Sequence, residues 1–227
     1  GVSMAVGHAT KTMRSQNILD VQKVADNNMY RDKLKNGKII KKKMLATIME
    51  ILEKKFPMES AHMNRVAAMA KTTGRCLGLK EEALHQLYLA GKYHDIGKIA
   101  VPKELLEKQE VLSDQEYEAL KKHAETSYQI LKSVEELAYI AEDVLYHHER
   151  FDGTGYPEGL KGKDIPLHAR ILSVVDAYET MVGKRPYHTA YDEEEAKGEL
   201  MRHAGTQFDP EVVKVFLEKT LPLVKVE

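Results

Sequence analysis

Two adjacent histidines, His147 and His148, stand at the start of a twenty-residue stretch that ends at Pro166 and contains four glycines and two prolines. The residues before the histidines have helical patterning, and the glycines and prolines predict that the chain then leaves the helix and runs as a loop. A long ordered loop in a compact domain is usually functional. Two imidazoles at its start therefore indicate a metal site or an acid/base site.

A second group of chemically active residues lies upstream, where His94 and Asp95 adjoin and Lys98 follows within one helical turn. Neutral imidazole and ionised carboxylate together suit divalent Zn, Mn, Fe or Ni. The lysine adds a positive charge where a phosphate could dock. The two segments together indicate metal-assisted phosphoester chemistry.

Three more residues could bind metal, but each also has an ordinary explanation. Asp176 follows several apolar residues in a predicted helix, where an ionised carboxylate is costly unless it is paired, binds metal or faces water. His62 lies on the apolar stripe of another predicted helix, where a hydrogen-bonded core histidine is the commoner case. His123 lies on a highly charged helix, where solvent exposure is the simplest interpretation. The residue patterns alone leave these alternatives open.

At these motifs the chain resembles the HD-GYP phosphodiesterases of the HD phosphohydrolase superfamily. The resemblance covers residues 60–217 and implies an all-α fold, an HD-domain helical bundle with a glycine-rich loop. The motifs that carry it are His-Asp-Ile-Gly-Lys-Ile at 94–99, His-His-Glu-Arg-Phe-Asp-Gly-Thr-Gly-Tyr-Pro at 147–157, Ile-Pro-Leu at 165–167 and Ala-Arg-Ile at 169–171. A chance match of that order and spacing is very unusual, whereas a lone His-Asp pair would mean little.

The resemblance also implies a set of metal ligands. In the family a histidine precedes the His-Asp pair by 32 positions, another follows the aspartate by 28, and a last aspartate follows the second loop histidine by 28; all three spacings occur here. The implied ligands are His62, His94, Asp95, His123, His147, His148 and Asp176. Seven ligands are more than one ion needs, so at least two metals are implied, with Asp95 as the bridge between them.

The position four residues before the first histidine affects the expected number of metals. Some family members carry a glutamate there and hold a third metal, but Met58 occupies it here. Glu59 is adjacent and on a helix points about 100° away from that position. We therefore expect two divalent transition metals, Fe or Mn, with Zn and Ni as alternatives that the same nitrogen and oxygen ligands accept.

The activity that the resemblance implies is hydrolysis of the phosphodiester bonds of cyclic di-GMP to linear pGpG, and onward to GMP. Two cations would polarise a bridging water and stabilise charge on the phosphoryl oxygens. Asp95 and Lys98 are the expected catalytic residues. The expected substrate contacts are Lys98, Gly153, Gly155, Tyr156 and Arg185.

Two features complicate these substrate contacts. The family often carries a basic residue three positions after the arginine, and this position is His188 here, so the substrate affinity implied by the resemblance does not carry over at this position. For Asp152 and Gly153 a purely structural turn is an equally good interpretation.

Two other functions remain open. The substrate could be another cyclic dinucleotide such as cyclic GMP-AMP, or a simpler phosphoester. From a different class, the chain could be a module that senses a nucleotide or docks a partner with little turnover. Met58 and His188 favour the sensor, whereas the complete ligand set argues against it, because a degenerate sensor does not need all seven ligands.

Composition excludes several function classes. The 34 Lys and Arg residues nearly balance the 35 Asp and Glu residues, so the chain has no net positive charge that would attract DNA or acidic lipid. One cysteine, Cys76, rules out an internal disulfide and fits a reducing cytosol. No apolar run approaches the roughly 18 residues that span a bilayer, and no signal peptide is evident. We therefore expect a cytoplasmic protein with no membrane segment in this stretch.

The chain divides into three predicted segments. Residues 1–37 are similar to the last strand and last helix of a GGDEF diguanylate cyclase domain, on Val-Ser-Met-Ala-Val-Gly at 2–7 and Ala-Asp-Asn-Asn-Met-Tyr-Arg-Asp-Lys at 25–33. Residues 38–57 are predicted to be a linker helix whose apolar face suits a homodimer, and residues 58–220 the HD-GYP phosphohydrolase domain. Because the Gly-Gly-Asp-Glu-Phe loop is absent, we expect no cyclase activity and a longer natural protein in which a GGDEF domain precedes.

Local signals predict the individual elements. Residues 1–11 are expected to be strand-like, and residues 18–35 helical with Asn36 and Gly37 as the stop. Capping boxes are predicted at Ser113 with Glu116 and at Ser133 with Glu136. The remaining predicted helices cover 60–77, 81–94, 113–132, a segment ending at 147–148, 169–182, 192–202, and 209–218 with Asp209 as N-cap and Pro210 first.

Overall fold

A computed structural model describes residues 4–108, 110–183 and 190–224. Those residues contain no β-strand, so the predicted all-α class is confirmed. The α-helices are α1 Ile18–Lys55, α2 Pro57–Cys76, α3 Glu81–Tyr93, α4 Lys103–Leu106, α5 Asp114–Ser133, α6 Ala141–Leu145, α7 Leu167–Val182, α8 Glu193–Arg202 and α9 Pro210–Val215. Short 3₁₀ turns cover Ile96–Ala100, Ala138–Ile140, Gly162–Asp164 and Leu221–Leu223, and a π-helical turn covers Phe216–Thr220.

The chain forms two compact units, Gly1–Thr47 and Ile48–Glu227. In the first unit, residues 4–11 are irregular, so the predicted strand is not found in the part that the structure describes. A strand needs a neighbour to pair with, and none is present among those residues. Side chains of α1 bind this segment instead: Asp32 accepts a hydrogen bond from the Val6 N–H at 3.1 Å, and the Asn28 amide donates to the His8 carbonyl at 2.9 Å.

Helix α1 runs through Asn36 and Gly37 without interruption, so the predicted helix end at these residues is wrong. A β-carbon at Gly37 would meet nothing within 4 Å, which shows that no close contact requires glycine there. Glycine inside a helix lowers helix stability by only about 1 kcal/mol relative to alanine. The long lysine-rich part of α1 on the C-terminal side of Gly37 offsets this loss.

The core of the second unit forms where α2 packs against α3 and α7. Val66, Ala67 and Ala70 of α2 are fully buried at the spacing of one helical face, as the apolar pattern predicts. Ile171 and Val175 of α7 are likewise fully buried. Burial of aliphatic side chains of this size stabilises the fold by roughly 1.5–3 kcal/mol each.

Two of the predicted helix starts are confirmed in detail. The Ser113 hydroxyl and the Glu116 backbone and side chain form the reciprocal capping box that begins α5. Asp209 accepts a hydrogen bond from the Glu211 N–H at 2.8 Å, and Pro210 is the first residue of α9. This final helix becomes π-helical after Val215.

The capping box predicted at Ser133 and Glu136 is wrong. Ser133 is the last residue of α5, and its hydroxyl donates to the Ile130 carbonyl at 2.8 Å. The chain continues through the 3₁₀ turn Ala138–Ile140 into α6. Serine suits both ends of a helix because its hydroxyl can either accept from a free N–H or donate to a carbonyl.

None of the helices in the described residues is long and apolar enough to span a lipid bilayer.

A close backbone contact at Gly97 places the predicted His-Asp motif against helix α5. The Gly97 N–H donates to the Ser127 hydroxyl at 2.8 Å. A β-carbon on Gly97 would lie 2.1 Å from the His123 carbonyl oxygen and 2.6 Å from the Ser127 nitrogen. Only glycine allows this approach, which brings Asp95 beside His123.

Replacing Gly97 with alanine should therefore destabilise the fold. Both clashing atoms are backbone atoms of α5, so we expect a loss of about 1–3 kcal/mol or more, as for other overpacked sites. Gly198→Ala is the matched control, since a β-carbon there meets nothing within 4 Å and the residue lies inside α8. It should stabilise by about 0.5–1 kcal/mol. Urea unfolding of both variants tests this, and equal stability of the two would contradict the contact.

Candidate metal centre

The structure brings the seven predicted ligands together from different parts of the fold. His62 lies on α2, His123 on α5 and Asp176 on α7. The adjacent pair His94 and Asp95 follows α3, and the pair His147 and His148 follows α6. Their donor atoms form three overlapping groups in which all atoms lie within 4.8 Å of one another: His62 with His94 and Asp176, His123 with His147 and His148, and His94 with Asp95 and His147.

Two of these groups define two clusters. In the first cluster (His62, His94 and Asp176), the His62 Nε2 lies 2.9 Å and the His94 Nε2 3.7 Å from the Asp176 Oδ1. In the second cluster (His123, His147 and His148), the Nε2 atoms of His123 and His148 are 3.1 Å apart.

Asp95 lies between the two clusters. Its Oδ2 is 3.1 Å from the His94 Nε2 and 3.9 Å from the His62 Nε2, on the side of the first cluster. Its Oδ1 is 3.2 Å from the His123 Nε2, on the side of the second. Each carboxylate oxygen thus faces one cluster, which is the arrangement expected of a bridging ligand.

Backbone carbonyls orient three of the imidazole rings. The Nδ1 atoms of His94, His123 and His147 lie 2.8, 2.6 and 2.6 Å from the carbonyl oxygens of the residues three positions earlier. A proton on Nδ1 that is donated to a carbonyl leaves the Nε2 lone pair free to bind a metal. The helical turn that carries each histidine therefore also selects its tautomer.

The donor set fits a divalent transition metal. The Nε2 atoms of His62, His94 and His147 are buried, and within the part of the chain that the structure describes none has a well-aligned hydrogen-bond partner, although carboxylate oxygens lie 2.9 and 3.1 Å from the first two. A buried polar atom without a partner costs about 1–3 kcal/mol. A cation would provide that partner, and a mixture of imidazole nitrogens and carboxylate oxygens suits Fe, Mn, Zn or Ni.

The charges in the site favour ionised carboxylates. Burial would raise the pKa of Asp95, but the charges of His94 and Lys98 outweigh it and hold this pKa well below its usual range. Burial acts likewise on Asp176, where the close contacts with His62 and His94 prevail and lower the pKa. Burial and the neighbouring His94 and His123 lower the pKa of His147 to about 3, so His147 is neutral at physiological pH.

Two of the ligand histidines, His62 and His94, have a raised pKa. Burial would lower the pKa of His62, but its contacts with Asp176 and Glu179 outweigh burial and raise it. Burial alone would also lower the pKa of His94, but the charge of Asp95 and the close contacts with Asp95 and Asp176 raise it to about 10. Without a cation, His94 thus carries a proton between the two carboxylates. A metal ion that binds here takes the place of that proton.

Lys98 lies against the candidate bridge. Its ammonium group is 2.7 Å from the Asp95 Oδ2 and 2.6 Å from the Glu59 Oε2. Burial would lower the lysine pKa, but the two carboxylates raise it, so the charge is retained. Glu59, which we expected to point away from the ligands, therefore lies at the edge of the site, whereas Met58 is 44% exposed.

The glycine-rich loop is held by a buried carboxylate, Glu149, that the sequence reasoning did not single out. Its Oε1 accepts hydrogen bonds from the N–H groups of Glu158 and Gly159 at 2.8 and 3.0 Å. Next to it, the Tyr156 ring stacks on His148 at 4.9 Å. Burial, with nearby Tyr117 and carboxylates, raises the pKa of Tyr156, so its phenol stays protonated.

The backbone of the loop itself requires glycine at both predicted positions, Gly153 and Gly155. Gly153 has a φ of +87°, which favours glycine, and it follows Asp152, whose carboxylate accepts from the Thr154 N–H at 2.9 Å. A β-carbon on Gly155 would lie 2.2 Å from the Arg150 nitrogen, so this glycine lets the loop fold on its own start. These contacts favour the structural turn that we considered for Asp152 and Gly153. The predicted contact Arg185, like His188, lies outside the described residues.

Glu179 on α7 is a second buried carboxylate that the sequence reasoning overlooked. It is 2% exposed, and it contacts the His62 Nδ1 and the Arg65 guanidinium group. Burial would raise its pKa, but His62 and Arg65 outweigh it and lower the pKa. The available signal was a second acid three residues after Asp176, on the same face of an otherwise apolar helix.

A cavity of about 200 Å³ adjoins the ligands. His147, His148 and Asp176 line it on the metal side, and Ser173 and Thr180 also contribute to its wall. A small polar group bound in this cavity would lie directly beside the candidate metal centre.

Comparison with protein families identifies the chain. A model of the HD domain matches residues 46–212. The chain belongs to the HD domain family. The HD part of the resemblance seen in the sequence is thereby confirmed.

The HD-domain chain has several characterised relatives. It is 36% identical over 174 residues to a cyclic di-GMP phosphodiesterase of Thermotoga maritima, covering 75% of this chain and 47% of the relative. It is 33% identical over 179 residues to a 3′3′-cGAMP-specific phosphodiesterase of Vibrio cholerae, covering 78% of this chain and 34% of the relative. The chain thus spans a third to a half of the length of these relatives.

Solved structures share the fold. An HD-GYP-type protein of Bdellovibrio bacteriovorus superposes with a TM-score of 0.59 at 16% identity, covering 91% of this chain and 73% of that one. The HD domain of a Listeria monocytogenes phosphodiesterase, solved with cyclic di-AMP, gives a TM-score of 0.56 at 18% identity, covering 78% of this chain and 94% of that one. At these identities the likeness concerns the fold alone.

Addition of Mn²⁺ to the metal-free chain should raise the midpoint of its thermal unfolding. An ion that binds only the folded state stabilises it by about 2.7 kcal/mol at one hundred times its dissociation constant. Asp95→Asn should reduce the gain, because it removes the charge that both clusters share. Glu218→Gln, an exposed site on the π-helical turn, should keep the gain. No shift with Mn²⁺, Fe²⁺, Zn²⁺ or Ni²⁺ would contradict a metal centre.

Proposed function

We propose that this chain is a metal-dependent phosphodiesterase that hydrolyses cyclic di-GMP to pGpG, and onward to GMP. The observation that carries the proposal is the convergence of five histidines and Asp176 in two clusters, with one oxygen of Asp95 facing each cluster. The relative from Thermotoga maritima, named as a cyclic di-GMP phosphodiesterase, supports the substrate.

We propose two divalent metals, Fe or Mn, one held by the first cluster and one by the second, with Asp95 between them. The separate grouping of the donor atoms supports two ions. Bound ions would supply the positive charge that stabilises phosphoryl oxygens and that makes water nucleophilic at neutral pH. The ionised carboxylates of Asp95 and Asp176 would hold them there.

The remaining residues would bind and orient the substrate. Lys98 keeps its charge beside Asp95, and we propose that its ammonium group binds a substrate phosphate. The protonated phenol of Tyr156, stacked on His148, would donate a hydrogen bond or pack against a base. Gly153 and Gly155 would shape the loop around the substrate, and Arg185 would contact a phosphate, as the resemblance implies.

Cyclic GMP-AMP is the second candidate substrate. Three relatives of Vibrio cholerae, 33–35% identical to this chain, are named as 3′3′-cGAMP-specific phosphodiesterases. Both nucleotides contain the same pair of 3′,5′-phosphodiester bonds and differ in one base. Parallel assays with the two nucleotides at equal concentration would separate these alternatives.

We also propose the wider organisation that the sequence predicts: residues 1–37 from the end of a GGDEF-like domain, 38–57 as a linker helix, and 58–220 as the hydrolase domain of a cytoplasmic protein. Ile39, Ile40 and Met44 are more than 40% exposed, which supports a homodimer through the linker helix. The one cysteine, Cys76, is a free thiol and suits a reducing compartment.

Asp95→Ala should abolish hydrolysis without unfolding the protein. The substitution removes the carboxylate that lies between the clusters, while the helices that carry the histidines keep their own packing. The test is chromatography of cyclic di-GMP after incubation with anaerobically purified protein supplied with Mn²⁺ or Fe²⁺. Appearance of pGpG or GMP with the parent chain and with Glu218→Gln alone is the expected result. Parent-like rates in Asp95→Ala, with its circular dichroism unchanged, would refute the proposed role.

A further inference from the structure

His62 differs from His94, His123 and His147 in the group that its Nδ1 contacts. Backbone carbonyls of neutral peptide groups face the Nδ1 atoms of His94, His123 and His147. The Nδ1 of His62 instead faces a carboxylate oxygen of Glu179, a residue 117 positions away in the chain. The first cluster therefore contains one imidazole that is held by a full negative charge.

The Glu179 carboxylate is fully engaged in this contact. One oxygen faces His62, and the other faces the guanidinium group of Arg65, which is half-exposed on α2. A buried carboxylate costs several kcal/mol unless it is paired and hydrogen-bonded, and here both conditions are met. Among the contacts of the described residues, Glu179 makes none with the second cluster.

A carboxylate that accepts a hydrogen bond from Nδ1 changes the properties of Nε2, on the opposite side of the imidazole ring. It fixes the tautomer that carries its proton on Nδ1, and it raises the basicity of Nε2 more than a neutral carbonyl does. In His62 that Nε2 lies 2.9 Å from the Asp176 Oδ1, inside the first cluster, and among the described residues it has no well-aligned hydrogen-bond partner. The charge of Glu179 is thus transmitted to a metal-binding atom of one cluster only.

We propose that Glu179 is a positioning residue for His62 and that it selectively raises the affinity of the first cluster for a divalent cation. The inference rests on the proposed metal centre and goes beyond it by distinguishing the two clusters. Loss of an outer partner of this kind lowers metal affinity by about 10–100-fold. In a variant that lacks this charge, the dissociation constants of the two metal-binding steps should therefore move apart.

Glu179→Gln tests this, because it keeps the size of the side chain and removes its charge. Metal-free protein is titrated with Mn²⁺ in competition with a chelating dye, and the bound metal is counted by elemental analysis. We expect two ions per parent chain. In Glu179→Gln one binding step should weaken about 10–100-fold while the other stays within twofold.

Three further variants separate positioning from a general loss of structure. Glu179→Asp keeps the charge and should restore part of the affinity. Arg65→Gln leaves the carboxylate facing His62 and should weaken the same step less than Glu179→Gln does. Glu218→Gln removes an exposed charge on the π-helical turn and should change neither step. If Glu179→Gln does not fold, Glu179→Asp and Arg65→Gln provide the same comparison.

The outcomes distinguish this inference from the function on which it rests. Two unchanged steps in Glu179→Gln, or equal weakening of both, would overturn the positioning role and leave the metal centre intact. Failure of the parent chain to bind Mn²⁺, Fe²⁺, Zn²⁺ or Ni²⁺ in the same titration would overturn the metal centre and the positioning role together.

Discussion

The buried charge of Asp95 is the constraint on which the arrangement of the site depends. The residue is 4% exposed, so its ionised carboxylate needs compensating groups on every side. His94, His123 and Lys98 provide them, from the end of α3, from α5 and from the 3₁₀ turn Ile96–Ala100. The packing of that turn on α5, which requires Gly97, serves to bring these groups to one point.

The helices also orient the ligands that they carry. Three histidines direct Nδ1 to a carbonyl oxygen of the preceding turn, so the backbone turn that carries each histidine also orients its ring. Packing of α2 against α3 and α7, and of α5 against α6 and the turn Ile96–Ala100, then fixes the relative positions of the segments that carry the ligands. Rigid positions of this kind suit metal ligands, because small displacements of a donor atom change the coordination geometry.

Much of the site could be predicted from the sequence, because the spacings that carry the family resemblance extend to each ligand. Local signals were also sufficient at Ser113 and Asp209, where the capping side chain and its partner lie within three residues. These signals failed where the local pattern permits two outcomes. Gly37 can end a helix or lie inside one, and Ser133 can cap either end.

The supporting carboxylates could not be found in the same way. The spacing of Glu179 from Asp176 indicates a second acid on that helix face, but its contact with His62, which is 117 positions away, is visible only in the fold. Glu149 is recognisable only through the N–H groups of a loop that folds back on it. Glu59 contacts Lys98 across 39 positions. Contacts between distant residues depend on the packed fold, and no periodicity or spacing encodes them.

Anomalous diffraction from crystals grown with Mn²⁺ would test the central claim most directly. The account predicts two anomalous peaks per chain, one bounded by the first cluster and one by the second, with an oxygen of Asp95 facing each. A single peak, or peaks away from Asp95, would contradict it.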